Sequence, residues 1–213
     1  MNKFTSYLDT TKEIEIDGMI IQSPLVAVLQ EARKMTGRDE KTGKKVKNVS
    51  HGSWLGSVGY MITIDQIGDK FYLPDREDGI KEISGVLSRS IENVCSFVKA
   101  LANFSHLSNE EIFALYALRC SFVHDYFLYN IGNKHFTHHF IVTQGEENIV
   151  ILPEENWDGD LKNRTDKNKT TISLEALGDL VEEIHKKLLE LSTDGKLNIK
   201  PGAMLESVTY KKR

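Results

Sequence analysis

The sequence predicts a mainly α protein: a helical bundle with a small β-hairpin inserted after its most apolar helix. Three observations support this prediction. Several segments repeat apolar residues at helical spacing, two β-rich segments follow residue 136, and no internal repeat or low-complexity linker divides the chain. The 213 residues are therefore assigned to a single domain, 1–213, in which 136–173 form the hairpin and loop insertion.

Three helices are predicted in the first half of the chain. The segments 20–35, 54–71 and 78–104 each place apolar residues along one helical face. Glycines and β-branched residues leave a strand as the alternative for 60–64, and Gly85 is a candidate break in the third helix.

The fourth helix is the most apolar segment of the chain. Ser108 supplies a cap and Glu110 and Glu111 supply first-turn acids, which mark its beginning. Apolar and aromatic residues then dominate the run 112–131, and Gly132 marks its expected end. This run has the length of a membrane span, but the charged residues at its centre would be costly in lipid, so we expect a buried helix and no membrane.

The composition of the sequence changes after this helix, and β-forming residues become frequent. Residues 138–143 and 148–152 read as two strands of a hairpin, because both are rich in β-formers and turn residues separate them. Residues 154–169 read as loop, and 170–174 as a short third strand. The segment 174–191 then has the pattern of a final amphipathic helix.

Composition limits the classes of function. A formal charge of −4 and a pI near 6.0 give no global basic field, so RNA contact requires a local patch. Cys95 and Cys120 lack CxxC spacing, which fits free thiols in a reducing compartment. The first residues lack an apolar core with a cleavage site, so we expect a cytoplasmic protein without a secretory signal.

The stretch RCSFVHDY, residues 119–126, places an arginine, a histidine and an aspartate in the apolar helix. Arg119 and Tyr126 are seven residues apart and share a helical face, whereas His124 is offset from Arg119 by about 140°. A buried guanidinium needs an anion, carbonyl groups or solvent. Asp125 and Glu111 are the expected internal partners if the stretch only fixes helix packing.

The same stretch resembles the HEPN superfamily. Arg119, His124 and Tyr126 fit the R-x4-H-x-Y form of the family's R-x(4–6)-H motif, on a long helix of a helical bundle. The resemblance implies a metal-independent endoribonuclease without a cofactor, as found in toxin–antitoxin, abortive-infection and CRISPR defence systems. It also implies a homodimer, because two such motifs, usually from two protomers, meet to form one composite site.

The chemistry of RNA cleavage suits these side chains. When the ribose 2′-hydroxyl attacks the phosphate, His124 would exchange the protons and Arg119 would hold the charged phosphate oxygens. Tyr126 would bind phosphate or orient the histidine. In the toxin branch with this motif, a partner nucleotidyltransferase attaches AMP groups to the tyrosine, and such an antitoxin partner is the expectation here.

Two alternatives remain beside the nuclease. Active members commonly carry asparagine, aspartate or histidine after the arginine, whereas this chain carries Cys120. This difference favours a catalytically inactive HEPN-like module that binds RNA, nucleotide or a protein partner. The second alternative is a purely structural network around Arg119.

Basic residues cluster in the segment 33–47. They provide candidate contacts to the RNA backbone at four lysines, Lys41, Lys44, Lys45 and Lys47. A solvated loop is the alternative reading of such a segment. His135, His138 and His139 lie close together in sequence but lack nearby cysteine or carboxylate ligands, so no metal site is expected there.

Overall fold

The computed structural model describes residues 3–11, 14–16, 19–74, 77–87, 93–124, 127–133, 135–203 and 208–211. Most of these residues are helical, so the mainly α prediction is confirmed, although three small sheets accompany the helices. The helices within these ranges are α1 (Lys3–Leu8), α2 (Pro24–Met35), α3 (Trp54–Lys70), α4 (Glu77–Val86), α5 (Ser96–Phe104), α6 (Asn109–His124) and α7 (Leu174–Thr193).

The described strands form sheets at the margins of the helices. The strands are β1 (Ile14–Ile16), β2 (Met19–Gln22), β3 (Phe71–Tyr72), β4 (Tyr129–Asn130), β5 (His138–Thr143), β6 (Val150–Ile151), β7 (Lys169–Ser173), β8 (Asn198–Ile199) and β9 (Val208–Lys211). Their sheet orders are β1-β2-β9, β3-β8 and β4-β5-β7-β6.

The predicted hairpin is wrong in its pairing. Strands β5 and β6 belong to one sheet, but β7 lies between them, parallel to β5 and antiparallel to β6. The predicted third strand therefore occupies the centre of this part of the sheet. Strand periodicity identified the segments correctly, but it carries no information about which strands pair.

Helix α3 lies at the centre of the bundle and packs against α2, α5, α6 and α7. The strand alternative for 60–64 is therefore wrong. Glycines allow the close approach: a Cβ at Gly59 would lie 2.9 Å from the Cβ of Ala32 on α2, and one at Gly68 would overlap the Ser96 carbonyl on α5. These contacts need hydrogen at the α-carbon, which explains glycine in a helix interior.

Local signals account for the observed helix boundaries. Helix α2 begins at Pro24 rather than at residue 20, because Ser23 caps it through Val26 N–H and β2 precedes it. The predicted helix 78–104 is two helices, since α4 ends at Val86 and α5 begins at Ser96. The final helix lies where it was predicted and extends to Thr193.

Helix α6 is apolar on most of its circumference, which makes it a buried helix. Ser108 and Glu111 cap its start reciprocally: the Ser108 N–H donates to the Glu111 carboxylate, and the Glu111 N–H donates to the Ser108 hydroxyl. The helix ends at His124, not at residue 131 as predicted, and Tyr129 begins β4. In the part of the chain that the structure describes, no helix has the length and hydropathy to cross a membrane.

Candidate functional site

Arg119 projects from α6 onto Asp65 of α3. Its Nε and Nη2 donate to Asp65 Oδ2 over 2.9 Å and 2.7 Å. Both side chains are 24% exposed, so the pair lies at the edge of the helical core and solvent reaches it. The pair fixes the direction in which Arg119 leaves its helix.

A half-buried sulfur and phenol cluster borders this ion pair. Tyr116 lies one turn before Cys120 on α6, and its hydroxyl interacts with the thiols of Cys120 and of Cys95, the residue that precedes α5. Burial raises the pKa of Tyr116 and that of Cys95, and the nearby Asp65 carboxylate raises the pKa of Cys95 further. The phenol and the Cys95 thiol therefore remain protonated at neutral pH.

His124 is the last residue of α6. Its backbone lies five residues beyond Arg119, which corresponds to a rise of about 7.5 Å along a helix. Its side chain is outside the described part of the structure, as are Asp125 and Tyr126. The predicted motif thus begins near the carboxyl end of α6. Of its three predicted catalytic side chains, the structure describes that of Arg119.

A second arginine shows what a sealed structural ion pair looks like in this protein. Arg33 on α2 is 1% exposed and donates from Nε and Nη2 to the carboxylate of Glu182 on α7, with a shortest distance of 2.7 Å. Its Nη1 donates to the carbonyls of Glu40 and Lys41. This network holds the loop 37–47 against the helices, and its arginine, unlike Arg119, is closed to solvent, while the Glu182 side chain is 16% exposed.

The four lysines predicted to bind RNA belong to this anchored loop. Lys45 donates to Glu175 and Asp179 on α7, over 2.6 Å and 2.8 Å, so its charge is already neutralised by carboxylates. Lys41, Lys44 and Lys47 are exposed. RNA binding by this loop remains a prediction.

Arg38, in the same segment, turns inward rather than into a solvated loop. It is buried and donates to Asp179 over 2.9 Å.

The three clustered histidines take part in hydrogen bonds of the four-stranded sheet and its loops. His138 Nδ1 pairs with the Thr170 hydroxyl at 2.8 Å, and His139 Nε2 pairs with the Asn168 side-chain oxygen at 2.7 Å. Burial lowers the pKa of His138, so its ring is neutral at pH 7. Among the described residues, no three His, Cys, Asp or Glu side chains group in a manner that would hold a metal ion.

Asp65 is the site residue that sequence reasoning missed. The expected partners of Arg119 were Asp125 and Glu111, but Glu111 caps the start of α6 and Asp65 comes from a helix 54 residues earlier. One signal was present in the sequence: Asp65 is an acid within the otherwise apolar run YMITIDQI. An unexplained acid and an unexplained base in two apolar helices are natural partners, since each neutralises the other's cost of burial.

Comparison with protein-family models, with curated proteins and with solved structures gives no significant match. The resemblance to HEPN proteins therefore depends on residues 119–126 and on the helices around them.

Proposed function

We propose that this protein is a metal-independent endoribonuclease of the HEPN type, with Arg119, His124 and Tyr126 as its catalytic residues. The observation that supports the proposal most directly is the partial exposure of Arg119, which is 24% accessible at the end of a buried helix. An arginine that only fixed helix packing would be sealed, as Arg33 is at 1%. Solvent reaches this guanidinium, so a phosphate oxygen can approach it, and opposite charge favours that contact.

The reaction needs no metal ion or cofactor. The ribose 2′-hydroxyl forms a bond to the adjacent phosphorus while the bond from phosphorus to the 5′-oxygen breaks, which leaves a 2′,3′-cyclic phosphate and a 5′-hydroxyl. One group must accept the 2′-hydroxyl proton and another must protonate the leaving oxygen, both tasks suited to histidine near neutral pH. Arg119 neutralises the charge that develops on the non-bridging oxygens.

The requirement for both a base and an acid favours a homodimer. One protomer contributes one His124, whereas two protomers related by a two-fold axis contribute two. We therefore expect light scattering to give twice the protomer mass of 24.2 kDa. A strictly monomeric mass under assay conditions would remove the composite site.

The decisive experiment is cleavage of a mixed RNA pool by the purified protein in EDTA. Arg119→Ala and His124→Ala are compared with Arg164→Ala and His106→Ala, which change exposed residues of the same types. We expect the wild type and both control variants to release fragments with 2′,3′-cyclic phosphate ends, and the two motif variants to release none. Intact RNA after incubation with folded wild type refutes the nuclease proposal.

The second candidate function is a catalytically inactive HEPN-like module that binds RNA, nucleotide or a protein partner. The observation in its favour is the Asp65 carboxylate, which already neutralises Arg119 and competes with phosphate for it. Cys120 at the position after the arginine agrees with this candidate. RNA binding without cleavage in the same experiment would establish it.

The biological setting proposed here is a cytoplasmic toxin–antitoxin or antiviral defence system. Its antitoxin would be a nucleotidyltransferase that attaches AMP to Tyr126. Co-expression with a nucleotidyltransferase from the same gene neighbourhood should abolish RNA cleavage and add the mass of AMP groups at Tyr126. Tyr126→Phe should prevent the mass change.

A further inference from the structure

A cavity of about 660 Å³ opens between the end of α3, the start of α5 and the turn after β8. Backbone bonds define its frame: the Lys200 N–H donates to the Lys70 carbonyl over 2.8 Å, and the Ala203 N–H donates to the Lys200 carbonyl over 3.1 Å. The volume lies within the range typical of small-ligand sites. Two contacts hold the walls together: β3 pairs with β8, and Gly68 seats α3 directly against α5.

Cations predominate on the described walls of this cavity. Lys70, Lys99 and Lys200 line it, while Asp69 is the one carboxylate among its described lining residues. Lys70 meets Asp69 at 3.5 Å, a weak pairing with a mostly exposed carboxylate. Lys200 is half-buried and donates to the Gly68 carbonyl. Burial lowers the pKa of Lys200, and the neighbouring Lys99 lowers it further.

The start of α5 adds positive potential at the same wall. Ser96 is the first residue of this nine-residue helix, and the residue before it, Cys95, makes no side-chain capping hydrogen bond. The first N–H groups of a helix carry partial positive charge and favour anions. Lysines gathered in a cavity repel one another, and an anion in the cavity relieves that repulsion.

This cavity adjoins the Arg119 site. Asp65, the partner of Arg119, and Asp69, on the cavity wall, are four residues apart on α3 and therefore lie on the same helical face, about one turn apart. Cys95 is a second link between the cavity and the Arg119 site, because it lines the cavity and interacts with Tyr116 on α6. The spacing suits neighbouring positions along one nucleic-acid strand.

We propose that this lysine-lined cavity binds a backbone phosphate of the RNA strand that the Arg119 site receives. The inference rests on the proposed function for the identity of the strand, but binding and cleavage are separate measurements. Phosphate contacts position a strand without reading its sequence. Lys70, Lys99 and Lys200 would thus set where along the RNA the Arg119 site acts.

The experiment measures binding of a fluorescent single-stranded RNA oligonucleotide with 2′-O-methyl riboses, which lacks the attacking hydroxyl and stays intact. The variant Lys99→Gln/Lys200→Gln is compared with Lys167→Gln/Lys186→Gln, which removes the same charge from two exposed sites. We expect the cavity variant to weaken binding at least tenfold. We also expect the slope of log affinity against log salt to fall by about 0.7, since the cavity holds one phosphate and each single-strand phosphate contact contributes about 0.7.

Further arms separate folding and ligand identity from the inference. Lys99→Arg/Lys200→Arg should retain binding, and circular dichroism melting should show whether the glutamine variant stays folded. Equal binding by the cavity and control variants overturns the inference, even if the wild type cleaves RNA. Cavity-dependent binding without cleavage leaves the inference standing while the nuclease proposal fails. Lysine-dependent binding of AMP but not of RNA would overturn the RNA assignment and identify a free nucleotide as the ligand of the cavity.

Discussion

Arg119 and Asp65 meet between α6 and α3 through two hydrogen bonds that converge on one carboxylate oxygen, Oδ2. The two residues are 54 positions apart in the chain. The bonds connect the helix that carries the 119–126 motif to the central helix of the bundle. Any role for Arg119 in chemistry or in stability therefore involves Asp65.

Replacing Arg119 should cost little stability and nearly all cleavage. An ion pair accessible to solvent contributes about 0.2–1 kcal/mol, so Arg119→Gln should lower the free energy of unfolding by about 1 kcal/mol or less. Urea unfolding at pH 7.5 measures this change. A loss of about 3 kcal/mol or more would support the purely structural reading of the motif.

Lysine should not substitute for arginine at position 119. Arg119→Lys keeps the positive charge but loses the planar fork that can hold two phosphate oxygens. If Arg119 stabilises the transition state, RNA cleavage should fall by about 100-fold or more, in the range seen when one charge-stabilising donor is removed. Retained cleavage would instead mean that Arg119 supplies charge alone. Single-turnover cleavage of a defined oligonucleotide separates the two results.

The sealed pair of Arg33 and Glu182 should behave differently. Arg33→Met leaves the partly buried Glu182 carboxylate without its cation and with the Tyr60 hydroxyl as its donor, and we expect a loss of about 3–5 kcal/mol in the free energy of unfolding. Arg33→Met/Glu182→Leu should recover part of that loss, because no unpaired charge remains. Urea unfolding of the wild type and these two variants tests this, and a double variant no more stable than Arg33→Met would contradict it.

The sequence predicted the secondary-structure elements better than the contacts between them. Apolar periodicity located α3 and α7, and a capped apolar run located α6, because each of these helices must bury apolar side chains that are close together in sequence. The Arg119–Asp65 pair joins two helices that are distant along the chain, and no local pattern specifies such a contact. The same reason explains the hairpin error, since β7 lies between β5 and β6 and comes later in the chain than either.

The lysine-lined cavity was also beyond sequence reasoning. Lys70, Lys99 and Lys200 are spread over 130 residues, and the turn after β8 brings them together. By contrast, the basic segment 33–47 was visible as a local cluster. Its arginines turn inward and Lys45 pairs with α7, because α7 offers them the carboxylates of Glu182, Asp179 and Glu175.

Gly68 should be indispensable to the contact between α3 and α5. A Cβ there would lie 2.9 Å from the Ala100 nitrogen and would overlap the Ser96 carbonyl, so Gly68→Ala forces the helices apart. We expect a loss of about 1–3 kcal/mol, as for an overpacked core. Gly85→Ala is the matched control, because an added Cβ meets nothing within 4 Å on α4 and alanine favours the helix. Thermal melting should therefore shift downward for the first variant and stay level or rise for the second.

The buried His185 should make the protein less stable in mild acid. Its Nε2 lies 2.8 Å from the Leu8 carbonyl, so Nε2 carries the proton, and Nδ1 faces the Arg33 guanidinium at 3.4 Å. Burial lowers the pKa of His185 below its ordinary value of about 6.5, and Arg33 lowers it further. Above pH 6.5 the ring is neutral in both states and stability is full. As the pH falls from there toward the pKa of His185 in the folded protein, the unfolded chain binds a proton that the folded chain does not bind. The free energy of unfolding therefore decreases.

The slope of this decrease approaches about 1.4 kcal/mol per pH unit for one proton. His138, whose pKa burial also lowers, adds to the decrease in the same direction. Urea unfolding between pH 7.5 and 5 measures the slope for the wild type, for His185→Gln and for the exposed control His106→Gln. We expect the slope to become shallower in His185→Gln, since a glutamine amide can still donate to the Leu8 carbonyl but does not titrate. A slope unchanged by His185→Gln would mean that the ring is protonated in the folded protein, and the neutral form derived from its two contacts would then be wrong.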